Sequence, residues 1–131
     1  MDYTIGHVCK ATGLTVHTVR HYCDNGLVMN LRTDEHGNRI FNEESINWLK
    51  AVSFLRASGL SIPEIKEYFK LCLDGPSTIK TRQEIFVRMK EEAEKDLEFA
   101  QMRIHCLSEK IQMCQDVMDG KCKDDCNPLN W

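Results

Sequence analysis

From 78 to 119 the chain contains neither Gly nor Pro, and its apolar residues keep one spacing. Ala93, Leu97, Ala100, Ile104, Leu107, Ile111, Cys114 and Met118 recur at intervals of 4, 3, 4, 3, 4, 3 and 4, an unbroken a/d register. Phe86 extends it upstream, with Lys90 at the intervening position. At 1.5 Å per residue such a helix is roughly 60 Å long. It is too long, and too polar outside its stripe, to be covered by one small domain. The spacing therefore predicts a two-stranded coiled coil between two chains. Its dimerisation face is Leu97, Ala100, Ile104, Leu107, Ile111, Cys114 and Met118. The register leaves parallel and antiparallel pairing open.

A rod of this kind needs something to hold, and residues 1–75 read as a small helical domain. Between Thr4 and Leu27 lie two short helical patterns. Ile5, Val8 and Cys9 mark the first; Val16, Val19, Tyr22 and Cys23 mark the second. Thr4 and Thr15 suit the N-caps, since a hydroxyl accepts from a free backbone N–H of the first turn. Gly13 and Gly26 stand where a chain leaving a helix needs positive φ. Helix, glycine turn, helix is the helix-turn-helix unit. Its second helix presents His17, Thr18, Arg20 and His21, with Tyr22 beside them and no acid before Asp24. These side chains can donate to phosphates and base edges, which makes them the candidate DNA-binding set. The competing reading is an ordinary amphipathic pair with a solvated face.

The segment 34–38, Asp-Glu-His-Gly-Asn, is a turn signal between short extended runs. Leu31, Arg32 and Thr33 are expected to pair with Arg39, Ile40 and Phe41 as a hairpin that leans on the helices. Beside a helix-turn-helix it is a wing, with Arg32 and Arg39 on opposite arms as phosphate contacts and Asn38 in its turn. A helix capped by Asn42 follows. Its expected buried stripe is Ile46, Leu49, Val52 or Ser53, and Leu55 or Arg56, widened by Trp48 and Phe54. Ser61 and Glu64 form a capping box for the next helix. Ile62, Ile65, Phe69 and Leu73 are its expected inner face, and Gly75-Pro76 stops it. The resulting fold class is mainly α: a winged helix-turn-helix DNA-binding domain with a small β-hairpin wing at 1–75, then a long C-terminal coiled-coil dimerisation helix at 76–119. Residues 120–131 form a tail, ending in Leu129 and Trp131, that is expected to dock on something and serves as a candidate effector loop.

The net charge of −3 does not by itself favour nucleic acid, but the surplus acid lies in the second half of the chain. From 1 to 72 acids and bases are equal in number, and a locally basic face can still bind DNA because phosphate contacts are local and screened. Without a long apolar run or a signal-peptide pattern, a cytoplasmic protein with no membrane partner is expected. No nucleophile–base arrangement, phosphate loop or paired-carboxylate motif stands out, so the expectation is not an enzyme.

The seven cysteines are an odd set without the spacing of a disulfide framework. Cys114, Cys122 and Cys126 cluster near the helix end and are the candidate effector residues. Thiolates would suit a soft metal ion, although no recognised metal site is present. Cys122 between Lys121 and Lys123 would suit a thiol-reactive small molecule. The third reading makes Cys9, Cys72, Cys106 and Cys114 small buried hydrophobes and the tail pair incidental.

In this order of elements the sequence resembles the MerR family of bacterial transcriptional regulators. The resemblance rests on Tyr3-Thr4-Ile5-Gly6, Thr12-Gly13, Thr18-Val19-Arg20-His21-Tyr22, Gly26-Leu27, Arg32 with Gly37-Asn38-Arg39-Ile40-Phe41, and Leu55-Arg56 with Gly59-Leu60-Ser61-Ile62 before Glu64-Ile65. It implies an antiparallel coiled-coil homodimer on double-stranded promoter DNA, working beside RNA polymerase. It also implies an overlong promoter spacer that effector binding would twist into alignment. Thr15, His17, Thr18, Arg20, Tyr22, Arg32 and Arg39 are the positions that carry over to DNA contact. His21 and Asn38 depart from the family's usual residues there. The alternative function is a coiled-coil homodimeric adaptor whose head binds protein and has no affinity for DNA.

Overall fold

In the computed structural model, which describes residues 1–131 apart from the Asn130 side chain, the elements follow the predicted order. Helices α1 (Ile5–Thr12) and α2 (Val16–Asp24) precede strands β1 (Arg32–Thr33) and β2 (Arg39–Ile40). Then come α3 (Glu43–Ala57), α4 (Ile62–Leu73), a 3₁₀ turn Pro76–Thr78 and α5 (Ile79–Met118). A last 3₁₀ turn, Pro128–Asn130, lies in the tail. The chain divides into two compact units, Met1–Phe86 and Val87–Trp131.

Local chemistry sets the helix ends of the first unit. The Thr4 and Thr15 hydroxyls accept from His7 N–H at 3.2 Å and Thr18 N–H at 3.1 Å. Asn42 caps α3 reciprocally with Ser45, and Ser61 caps α4 reciprocally with Glu64. Gly13 leaves α1 at φ 75° and Gly26 leaves the α2 turn at φ 72°. A Cβ at either position would meet nothing within 4 Å, so the requirement is for the backbone conformation and not for space.

Helices α1, α2 and α3 pack around Val8, Val19, Cys23, Val28, Phe41, Ile46 and Leu49. α4 adds Ile65 and Phe69, the latter edge-on to Trp48 at 4.7 Å between ring centres. The wing is antiparallel, Arg32 opposite Ile40 and Thr33 opposite Arg39. It is held by a bridge that the sequence pattern does not signal: Tyr3 N–H donates to Phe41 O at 2.7 Å. This ties the chain's first residues to the hairpin and removes the isolation that makes a two-stranded ribbon marginal.

Four apolar expectations need correction. Phe54 does not widen the α3 stripe; it is 66% exposed. At about 100° per residue it falls roughly opposite the centre of the stripe formed by Ile46, Leu49, Val52 and Leu55. Leu73, at the last residue of α4, is exposed and not on the inner face. Val16, at the first residue of α2, is also exposed. Cys106 and Cys114 are exposed thiols, not small buried hydrophobes, while Cys9 and Cys72 are half-buried.

α5 has no buried residue along its 40 residues. Leu97, Ile104, Leu107, Ile111 and Met118 are all exposed, and Ala100 is half-buried. No helix among the described residues is long and apolar enough to cross a membrane. In the tail, Leu129 and Trp131 are exposed, and the Trp131 indole N–H donates to Asp125 O at 2.8 Å.

Candidate nucleic-acid interface

Capping decides how α2 is offered to solvent. The Thr15 hydroxyl accepts the Thr18 N–H and donates to the Thr18 hydroxyl at 2.9 Å, so this pair fixes the first turn. Val19 and Cys23 are buried on the opposite side, which anchors the helix to the core. Burial raises the Cys23 thiol above its ordinary range, so it stays a neutral core group. What remains outward is His17, Arg20 and His21, all exposed, with Thr18 and Tyr22 half-buried beside them. The Asn25 side chain donates to His21 O at 2.8 Å and closes the C-terminal end.

Two hollows border this face. The larger, of about 740 Å³, runs from the start of α1 to the wing and is lined by Tyr3, Thr4, Arg20, Asn38 and Arg39 among others. It brings the α2 arginine and the wing turn into one concavity. The smaller, of about 240 Å³, is lined by His17, Thr18, His21, Tyr22 and Arg56. Arg56 is therefore part of the site, although its position in the α3 pattern made it an alternative core residue. Its guanidinium donates to Leu60 O at 2.9 Å, which fixes the group at the edge of the α2 face. Its charge at a stripe position was the one available signal.

The wing arginines are ion-paired within the chain. Arg32 contacts Asp2 at 2.8 Å with both side chains more than half exposed. Arg39 pairs with Asp24 at the end of α2. The wing turn is organised by Asp34, whose carboxylate accepts from His36 N–H at 2.9 Å and Asn38 N–H at 2.8 Å. The Asn38 amide also donates to it at 3.3 Å. Led by the Asn38 backbone bond, these contacts hold the Asp34 carboxyl below its ordinary value. Asn38 thus helps to build the turn that carries Arg39.

The candidate effector cysteines lie elsewhere. Cys114, Cys122 and Cys126 are all exposed. The Cys126 thiol is raised above its ordinary value, first by its hydrogen bond to Asp124, and the neighbouring Cys114 adds to the shift. Among the described residues no three His, Cys, Asp or Glu side chains group as a metal site.

A four-helix head with a glycine turn, an outward helix bearing Arg and His, and a hairpin wing defines the winged helix-turn-helix class of DNA-binding proteins. Residues 3–72 match the model described as MerR HTH family regulatory protein, more than half of the chain, and the chain belongs to that family. It is 33% identical over 86 residues to an uncharacterised HTH-type transcriptional regulator of Haemophilus influenzae, covering 66% of this chain and 64% of that protein. It is 36% identical over 81 residues to the HTH-type transcriptional regulator AdhR of Bacillus subtilis, covering 62% of this chain and 58% of AdhR. The chain thus spans less than two thirds of these relatives. Among solved structures it is similar to HiNmlR, a MerR family regulator lacking the sensor domain, bound to promoter DNA. That match has a TM-score of 0.65 at 26% identity and covers 91% of this chain and 94% of that one.

Proposed function

We propose that this chain is an effector-responsive transcriptional regulator that binds double-stranded promoter DNA as a homodimer. The observation that carries this reading is the outer face of α2, where His17, Arg20 and His21 are exposed, bordered by hollows that include Arg39 and Arg56. α2 enters the major groove, where Arg20 and His17 reach base edges and Thr15, Thr18, His21 and Tyr22 fix the approach. Arg32, Asn38 and Arg39 of the wing meet the backbone. Phosphates compete with Asp2 and Asp24 for the two arginines, so these ion pairs hold the wing in position before DNA arrives. The reading is supported by family membership and by the DNA-bound state of HiNmlR. The same observations disfavour the protein-binding adaptor.

Paired α5 helices supply the dimer, through Leu97, Ala100, Ile104, Leu107, Ile111, Cys114 and Met118. Two heads on one duplex then distort an overlong promoter spacer, and RNA polymerase reads the realigned boxes. The work is done in the cytoplasm and involves no catalytic step. Cys114, Cys122 and Cys126 receive the effector, a thiol-reactive small molecule or a soft metal ion. At Cys126 the hydrogen bond to Asp124 raises the thiol above its ordinary value, which lowers its thiolate fraction.

The test is selection of duplexes from a random pool by the full chain, followed by titration at several salt concentrations. A palindromic site with a steep salt dependence is expected. Arg20→Ala should weaken it about tenfold at matched salt, a loss of about 1–3 kcal/mol. Failure to enrich any duplex would sink the reading. Replacing Cys122 and Cys126 with Ser while every effector response persists would remove the tail from sensing.

A further inference from the structure

Of the five histidines in the chain, only His17 and His21 stand one helical turn apart. Both are exposed on the outer side of α2, and both line the hollow of about 240 Å³ that also takes in Thr18, Tyr22 and Arg56. Side chains four apart on a helix are neighbours, with about 5–6 Å between Cβ atoms. That spacing lets two imidazole nitrogens approach one ion at about 2.0–2.1 Å. The helix that carries them is fixed in place. The Thr15–Thr18 pair sets its first turn, and buried Val19 and Cys23 pin its inner side. A ligand pair on such a helix is organised before the ion arrives.

Resting in its second half on the DNA-binding reading above, we propose that His17 and His21 chelate a divalent ion of the zinc, nickel or copper class, and that the loaded α2 is excluded from DNA. Imidazole suits these ions, whereas magnesium and calcium take oxygen ligands. Among the described residues lining the hollow there is neither a carboxylate nor a thiol. The remaining coordination positions fall to water, so the ion is exchangeable, unlike a structural zinc closed by four protein ligands. Arg56 lines the same hollow, its guanidinium held by Leu60 O at 2.9 Å. Its charge opposes any cation and moderates the affinity. The Asn25 amide lies 3.4 Å from His21 Nδ1, a long contact that a metal bond replaces at little cost.

The exclusion follows from shared atoms. The ring nitrogens that hold the ion are those that α2 offers to the duplex. Once metallated they no longer meet base edges, and the hydrated ion stands between the helix and the floor of the groove. Linkage makes the effect reciprocal: the factor by which DNA weakens the ion is the factor by which the ion weakens DNA.

The probe is zinc chloride, added stepwise to the isotope-labelled full chain while the imidazole resonances of all its histidines are followed. His17 and His21 should shift together, at a zinc concentration roughly tenfold below that which moves His7, His36 or His105. Zinc taken up by thiols does not enter this readout. His17→Gln should weaken zinc at His21 at least roughly tenfold, since loss of even a supporting group beside a metal costs about 10–100-fold. Arg56→Gln should tighten it. Both positions are off the core, and circular dichroism checks that both variants fold. In titrations of the selected duplex, zinc should weaken binding about tenfold, and a chelator should reverse this. The zinc effect should vanish in His17→Gln, whatever that variant's own affinity for DNA. Histidines that all respond at one concentration, or a His21 response that survives His17→Gln, overturn the metal site. A duplex held equally or more tightly with zinc on the pair overturns the exclusion and leaves the site. A chain that binds no duplex with or without zinc defeats the DNA-binding reading and the exclusion together, but not the metal site, which is read without DNA.

Discussion

In residues 1–86, Phe41, Leu49 and Phe69 are at most 2% exposed, shielded by neighbours in the same chain. In α5, Leu97, Ile104 and Leu107 leave 59–64% of their surface to solvent. The two regions have comparable apolar side chains and opposite solutions for them. The head closes its core from several short elements packed on one another. α5 has a stripe along its length and no cover for it within the described residues of the chain. Under the proposed function the difference separates two roles: the head holds the candidate α2 face without help, and α5 leaves its stripe for a partner.

The strongest way to break this comparison is to damage the head. Phe69 is 2% exposed and packs edge-on to Trp48. Phe69→Ala should cost about 3–5 kcal/mol of head stability, read as a lower denaturant midpoint with DNA binding lost in parallel. An unchanged midpoint would mean that the head does not depend on its own core.

The next effect belongs to α5 and should have a different readout. Ile104 is 64% exposed in the single chain, so Ile104→Ala should leave the head's unfolding midpoint unchanged. Each copy loses the burial of one Ile, about 1.5–3 kcal/mol. Over two copies that is roughly 3–6 kcal/mol, so the dimer dissociation constant should rise by on the order of 10²- to 10⁴-fold. A shift in the head's midpoint at constant dimer affinity would show that the stripe is covered within the chain.

The contrast also governs what could be read before the fold was known. Caps and turns were legible because their chemistry is local: Thr4, Thr15, Asn42 and Ser61 act within three residues, and Gly13 and Gly26 within their own φ angles. The α5 stripe was legible because nothing interrupts its period. The wing's anchorage was not. Arg32 to Asp2, Arg39 to Asp24 and Tyr3 to Phe41 join residues far apart in sequence, and no periodicity encodes such pairs. Phe54 and Leu73 were misplaced for a related reason, since hydrophobicity says that a residue prefers cover and does not say that cover is available. For the candidate site, the α2 residues were visible as a face. Arg56 carried only the hint of a charge at a stripe position until α3 brought it beside His17 and His21.

A smaller effect sharpens the head's side of the comparison at a single helix end. The Ser61 hydroxyl accepts from Glu64 N–H at 3.3 Å, and Glu64 returns the bond to Ser61 N–H at 3.1 Å. Ser61→Ala should cost about 1 kcal/mol, and Ser61→Asp should recover most of it. Equal stability of all three chains would mean that packing of Ile65 and Phe69 alone sets the start of α4.

The smallest effect is confined to the wing turn. Asp34 titrates below its ordinary value of 3.8 in the folded chain, chiefly because its carboxylate accepts the Asn38 N–H. The ionised form is therefore favoured by folding. The contribution is fully present above pH 3.8 and is lost as the pH falls through the lower, folded value. Because the group is on the surface, the loss should not unfold the head. It should appear as lower protection of the His36 and Asn38 amides, measured against intrinsic exchange at each pH, as the pH falls through that lower value, with α2 and α3 amides unaffected. Asp34→Asn should exchange faster at neutral pH and lose the acid dependence. If its wing amides instead kept the parent's protection, the turn would be held by the Arg39–Asp24 pair and the Tyr3–Phe41 bridge. Arg39 would then owe its position to the helices and not to its own hairpin.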